Sequence, residues 1–105
     1  MTMTPPQLAI YKKILSTART IGPFTEDPKK TSIHLARRSA FAGVAARKDA
    51  LMLTLKSAAD ISSPRIAKRE QVSANRWHLE VRLEKPADVD RELKAWLRQS
   101  MALCS

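Results

Sequence analysis

From Ala50 to Lys56 the chain alternates, with Leu51, Leu53 and Leu55 on one side and Met52, Thr54 and Lys56 on the other. A period of two marks a strand with one buried face. The same period runs from Trp77 to Leu83, where Trp77, Leu79, Val81 and Leu83 share a face and His78, Glu80 and Arg82 share the opposite one. It recurs in TSIHLARR, where Thr31, Ile33 and Leu35 alternate with Ser32, His34 and Ala36. Ser39 to Ala46 (SAFAGVAA) predicts another strand, with Gly43 allowing a bulge or the close approach of a neighbour. Arg47-Lys48-Asp49 then falls at a turn between two strands, and Glu70 to Ser73 predicts the first arm of a hairpin turning at Ala74-Asn75-Arg76. Gly22 to Thr25 has room for a short edge strand before a polar loop, and SAADISSP (57–64) reads as a loop whose Ser63-Pro64 can start a single helical turn.

Helical spacing brackets this β-rich centre. Thr4 followed by Pro5 and Pro6 predicts a helix start, because a hydroxyl caps the first amides and proline suits the first turn. Leu8, Tyr11, Ile14, Leu15 and Ala18 then make one apolar stripe, ended by Gly22-Pro23. At the other end Pro86 predicts a second helix, with Asp88, Asp90 and Glu92 near its positive N-terminal end. Its inward stripe is Val89, Leu93, Trp96, Leu97, Ser100 and Cys104. The order is helix, four or five strands, helix. Short connections between strands make the sheet mostly antiparallel, and both helices are expected on its leucine face. The expected fold is therefore α+β, with one polar sheet face carrying Ser32, His34, Met52, Thr54, Lys56, His78, Glu80 and Arg82.

At 105 residues the chain is expected to form a single domain, 1–105. One cysteine, Cys104, permits neither a disulfide framework nor a cysteine-based zinc site, as befits a reducing compartment. The N-terminal MTMTPPQLAIYKK lacks the basic-then-apolar pattern of a secretory signal, and no apolar run approaches the length of a membrane span. The expectation is a cytoplasmic protein with no membrane partner. The net charge of +9 changes the picture more. Lys29 to Arg76 holds eleven Lys or Arg against Asp49, Asp60 and Glu70, a surplus of eight, while the rest of the chain has a surplus of one. Such a concentration suits a polyanionic partner, although a basic surface also keeps a protein dispersed.

Signatures of catalysis are few. The sequence has no GxGxxG, no P-loop and no GxSxG, and two glycines cannot build a phosphate-cradling loop. No cofactor is expected. His34, His78 and Glu80 share the polar face and would suit iron or zinc if adjacent strands brought them together, which makes them weak metal candidates beside the simpler reading of solvated histidines. Trp77, Trp96 and Tyr11 fall on apolar faces, so stacking of bases on exposed aromatics is not expected, and nucleic-acid contact would be with phosphate. The basic residues gather at connections: Arg37-Arg38, Arg47-Lys48, Arg65, Lys68-Arg69 and Arg76. Arginine at such points clamps phosphate or carboxylate with a two-pronged hydrogen bond.

The stretches KTSIHLARRSAFAGVAARKDALMLTL, SPRI, EQVSANRWHLEVRL and KPADVDRELKAWL, in that order, resemble a bacterial family known as domain of unknown function 5655. The resemblance covers about Lys30 to Leu97. Ala46 stands where that family commonly has a proline, and Lys85 where it commonly has a capping serine. Some members form the C-terminal part of predicted transport proteins, a label that implies little about mechanism. The layout is also similar to the YjbR and frataxin-like arrangement of two helices on one face of an antiparallel sheet. The resemblance implies that Arg47-Lys48 and Arg65 recur for a reason. They are expected to approach one another and bind an anion, whether a phosphate, an acidic peptide or a carboxylate of this fold such as Glu70 or Asp49.

Three functions follow from these readings. The first is a non-enzymatic binding module whose basic centre contacts nucleic acid or a phosphorylated ligand. The second is an accessory protein–protein interaction domain with no nucleic-acid role. The third, least supported, is a metal-dependent enzyme using His34, His78 and Glu80.

Overall fold

The computed structural model describes residues 2–105. Its first helix, α1 (Pro5–Ile21), begins at the expected cap: Thr4 Oγ1 accepts from the Gln7 amide and Gln7 Oε1 accepts from the Thr4 amide at 2.9 Å. The two orphan amides satisfy each other's residue, the reciprocal box that fixes a helix start. Six strands follow: β1 (Thr25–Pro28), β2 (Ile33–Ala36), β3 (Ala40–Arg47), β4 (Ala50–Ser57), β5 (Ile66–Ser73) and β6 (Arg76–Leu83). A short 3-10 turn (Pro86–Asp88) precedes α2 (Arg91–Leu103), so Pro86 starts that turn and Asp90, not Pro86, caps the helix through the Leu93 amide.

All pairings are antiparallel, in the order β1-β2-β3-β4-β6-β5. The sheet has six strands rather than four or five. β5 starts at Ile66 instead of Glu70, and β1 lies at Thr25–Pro28 rather than Gly22–Thr25. Both differences occur at sheet edges, where neither face is buried enough to impose alternation: β1 is exposed throughout and β5 is buried only at Ile66. The edges are blunted. β1 ends in a proline, and β5 is bulged at Ala67 and Val72, devices that discourage pairing with another chain.

The core lies on the leucine face. Leu51, Leu53 and Leu55 stand opposite Leu83, Val81 and Leu79 on β6 and opposite Ala46, Val44 and Ala42 on β3. They form one apolar cluster with Ile10, Ile14 and Ala18 of α1 and Leu93, Leu97 and Met101 of α2. Both helices thus draw on one sheet face, and no helix of the described residues is long and apolar enough to cross a membrane. The α1 stripe is buried at Tyr11, Ile14, Leu15 and Ala18 as expected, but its first position is not: Gln7 and Ile10 are buried, whereas Leu8 is 41% exposed. Phe41 is an extra residue of β3 opposite the Leu35–Ala36 step, and this bulge turns both Phe41 and Ala42 inward. Trp77, expected in the core, is only partly buried at the sheet's periphery.

Because β5 joins beyond β6, the segment 58–65 must travel the length of the sheet beside α2. Ile61 packs on the core and Arg69 anchors the segment through Asp60 (2.9 Å) and the Ile61 carbonyl (3.2 Å).

Candidate anion-binding surfaces

The turn Arg47-Lys48-Asp49 joins β3 and β4, with Asp49 in the left-handed region at φ 57°. Asparagine and aspartate tolerate that conformation better than most side chains. Its backbone is held from both faces of the sheet. From the core side, the buried amide of Gln7 donates from Nε2 to the carbonyls of Arg47 (2.7 Å) and Ala50 (3.0 Å). From the polar side, Arg82 Nη2 donates to the Lys48 carbonyl (3.1 Å). The side chains of Arg47 and Lys48 have no ion-pair partner among the described residues, although Arg47 Nη1 donates to the Ala46 carbonyl. The fold therefore fixes the tip and presents two cations on it. Gln7 was not singled out by sequence reasoning; its only signal was a polar residue in a capping position.

Arg65 is placed differently from expectation. It lies at the start of β5, at the same end of the sheet as the tip, but its guanidinium is engaged by α2 and the turn before it. Nη1 donates to Asp90 (2.9 Å) and Glu92 (3.0 Å), Nη2 donates to the Asp88 carbonyl (2.7 Å), and the group sits 5.5 Å from the Trp96 ring centre. Its carboxylate partners are thus Asp90 and Glu92, not Glu70 or Asp49. Burial works to lower the Arg65 pKa, and the hydrogen bonds it donates to Asp90 and Glu92, together with their charges, outweigh it, leaving the value raised. The Leu93 amide and, after it, Arg65 hold Asp90 below the usual carboxylate range against the opposing effect of burial. This is an internal latch.

The other basic candidates separate. Arg37-Arg38 sit in the β2–β3 turn and Arg76 opens β6 just after the β5–β6 turn, both at the end of the sheet opposite the tip. The Arg38 and Ser39 amides donate to the Cys104 carbonyl, which brings the arginine turn to the negative end of α2. Lys68 and Arg69 lie on β5, paired with Glu80 (3.9 Å) and Asp60.

The polar face, which neither helix covers, holds His34, His78, Glu80 and Arg82 as strand parity requires. The register gives its rows: Asp27, His34, Gly43, Thr54, Glu80 and Lys68 cross the sheet in one line, while Lys56, His78 and Glu70 form the next. His34 and His78 are on β2 and β6, with β3 and β4 between them, and no group of three or more His, Cys, Asp or Glu among the described residues is placed to hold a metal. Between them lies an open trough of about 260 Å³ over Gly43, walled by Ser32 and His34 on one side and by Thr54, Lys56 and His78 on the other. Lys29, at the margin of this face, draws the Asp27 pKa down through its hydrogen bond, with burial opposing and the charges of Lys29 and His34 adding to the effect. On the opposite face, burial and the Glu26 hydrogen bond (2.6 Å) push the Tyr11 hydroxyl well above its ordinary value.

No match was found among curated proteins, and none among solved structures. A family model does match, over residues 4–103, which takes in both helices as well as the sheet and so exceeds the span from Lys30 to Leu97. By that match the chain belongs to the family described as Domain of unknown function (DUF5655).

Proposed function

We propose that the chain is a non-enzymatic binding module that contacts a polyanion, such as nucleic acid or another phosphorylated partner, through the Arg47-Lys48 tip. One observation carries the reading: the tip's backbone is tied down by three hydrogen bonds from Gln7 and Arg82 while its two cations stay unpaired. A tip serving only to keep the chain dispersed needs no fixed backbone. A fixed one lowers the ordering cost when phosphate is clamped. Contacts made this way read phosphate and not bases. The location is expected to be cytoplasmic.

The rival, an accessory protein-docking domain, draws support from the half-buried Met52 beside Ala45 on the uncovered face. The blunted edges weigh against its commonest mode, addition of a strand.

Fluorescence anisotropy with a labelled duplex and a labelled single strand, across a salt series, tests the proposal. Arg47→Glu/Lys48→Glu is compared with Lys12→Glu/Lys13→Glu on the exposed side of α1, which changes the net charge equally. The tip variant is expected to lose binding and to flatten the salt slope by about 2, roughly one per phosphate contact. Equal losses for both variants, or no binding at low salt, would overturn the tip as the contact.

A further inference from the structure

The trough over Gly43 is separate from the tip and has a chemistry of its own. Its floor is β3 at Gly43, which has no side chain, and Ala45, which adds a single methyl group. Its walls are donors. His34 on β2 and Thr54 on β4 stand two strand spacings apart, about 10 Å, on either side of Gly43, and Lys56 follows in the next row beside His78. Lys56 has no ion-pair partner among the described residues, because the acids of this face are directed elsewhere: Asp27 to Lys29 at 2.8 Å and Glu80 to Lys68 at 3.9 Å. Glu70 faces His78 from the β5 side, away from the floor. The hydroxyls of Ser32 and Thr54 complete the rim.

We propose that this trough binds a small aromatic anion, with the flat ring on the Gly43 floor and the carboxylate or phosphate at Lys56 and the neighbouring imidazole of His78. An apolar floor alone takes any ring and a lysine alone takes any anion. Only a ligand carrying both satisfies floor and wall together, the usual logic of a site with a few converging polar groups on an apolar surface. Glycine at the floor is not demanded by the backbone, whose φ is not positive. A Cβ added there meets nothing nearer than His34 Cδ2 at 3.7 Å, an ordinary contact. The fold therefore leaves this space open without needing to.

The test is a titration of the ¹⁵N-labelled chain, followed by amide shifts, with four probes: benzoate, phenyl phosphate, benzyl alcohol and inorganic phosphate. Saturable shifts at Gly43, Ala45 and Thr54 are expected for at least one of the two aromatic anions, and comparing those two identifies the preferred head group. Benzyl alcohol and inorganic phosphate are expected to bind at least about tenfold more weakly. Gly43→Val should abolish the shifts and Lys56→Gln should weaken only the anions. If the valine variant does not fold, Gly43→Ala adds one methyl at a clear position and should weaken the aromatic anions several-fold. Binding of inorganic phosphate as tight as phenyl phosphate, binding of benzyl alcohol as tight as benzoate, shifts that ignore Gly43, or no saturable shift would each overturn the proposal. Duplex binding in the same Gly43 variants should be unchanged, so this site and the tip fail or stand independently.

Discussion

Replacing Gln7 by methionine isolates what holds the Arg47-Lys48 tip. Methionine keeps the length and much of the volume of the side chain but can neither donate nor accept strongly. Two carbonyls then lose their donor: that of Ala50, a fully buried residue, and that of Arg47 nearer the surface. A stranded buried acceptor costs about 1–3 kcal/mol, and a partly hydrated one falls at the low end of that range. The Thr4 amide loses Oε1 as well, but it lies at the exposed helix start, where water substitutes. Burying a thioether in place of an amide returns roughly 1 kcal/mol. The net expected loss is about 1–3 kcal/mol, centred near 2, a large share of the roughly 5–15 kcal/mol that holds a domain folded. At about 4–8 °C per kcal/mol for a chain near this length, the melting temperature should drop by roughly 5–20 °C. Urea melts followed by tryptophan fluorescence measure it, with Thr4→Ala as the reference. That variant removes the cap alone and should cost only about 1 kcal/mol. If Gln7→Met and Thr4→Ala agree within about 0.5 kcal/mol, the two long-range hydrogen bonds do not hold the turn and the reasoning fails.

Three further outcomes are expected. Arg65→Met should destabilise by about 1–3 kcal/mol, through loss of the Asp88 carbonyl's donor and of both acidic partners, while duplex binding stays unchanged because the group faces α2; a binding loss matching that of the tip variant would show that Arg65 acts there after all. The folded Asp90 carboxyl titrates below the ordinary carboxylate range, so its contribution is fully present above that range and is lost as pH falls through the lower folded value. Asp90→Asn keeps the cap but not the titration, and should flatten the acid limb of the stability curve as pH falls below the ordinary carboxylate range; an unchanged limb would contradict the shift. Ser100→Ala removes a buried hydroxyl that donates to the Lys56 carbonyl and should cost about 1–2 kcal/mol in a urea melt, with equal stability telling against that link between α2 and β4.

Strands β3, β4 and β6 were legible because each has one buried and one open face, so the chemistry of alternate residues differs. β1 and most of β5 have no buried face. TEDP and AKREQV therefore carry no periodicity to read, and the strand count came out low at just those edges. The α1 stripe departs from its reading only at its first position, for a related reason. Gln7 looks polar, yet three hydrogen bonds satisfy its amide inside the fold, while Leu8 beside it points outward. A satisfied polar group can take a core position that composition assigns to leucine. Strand parity correctly put His34, His78, Glu80 and Arg82 on one face, but parity says nothing about which strands are neighbours. The two histidines are kept apart by β3 and β4, an ordering that local sequence does not encode.

That ordering also decides what each cation does. β5 is inserted beyond β6, so its approach segment runs beside α2 and delivers Arg65 to Asp90 and Glu92, residues 25 and 27 positions later. Had β5 paired with β4 instead, Arg65 would have reached the sheet next to the Arg47-Lys48 tip, as the sequence suggested. The crossover converts one arginine of the expected cluster into a latch for the last helix and leaves Arg82 as the arginine that bonds the tip across the strands. It also keeps both helices and the long connection on the leucine face. The polar face is consequently a sheet face that neither helix covers, and the residues at its centre, such as Gly43, Ala45, Met52 and Thr54, are half-buried. A face of that kind in the middle of the sheet is where a ligand can add burial without displacing any part of the fold.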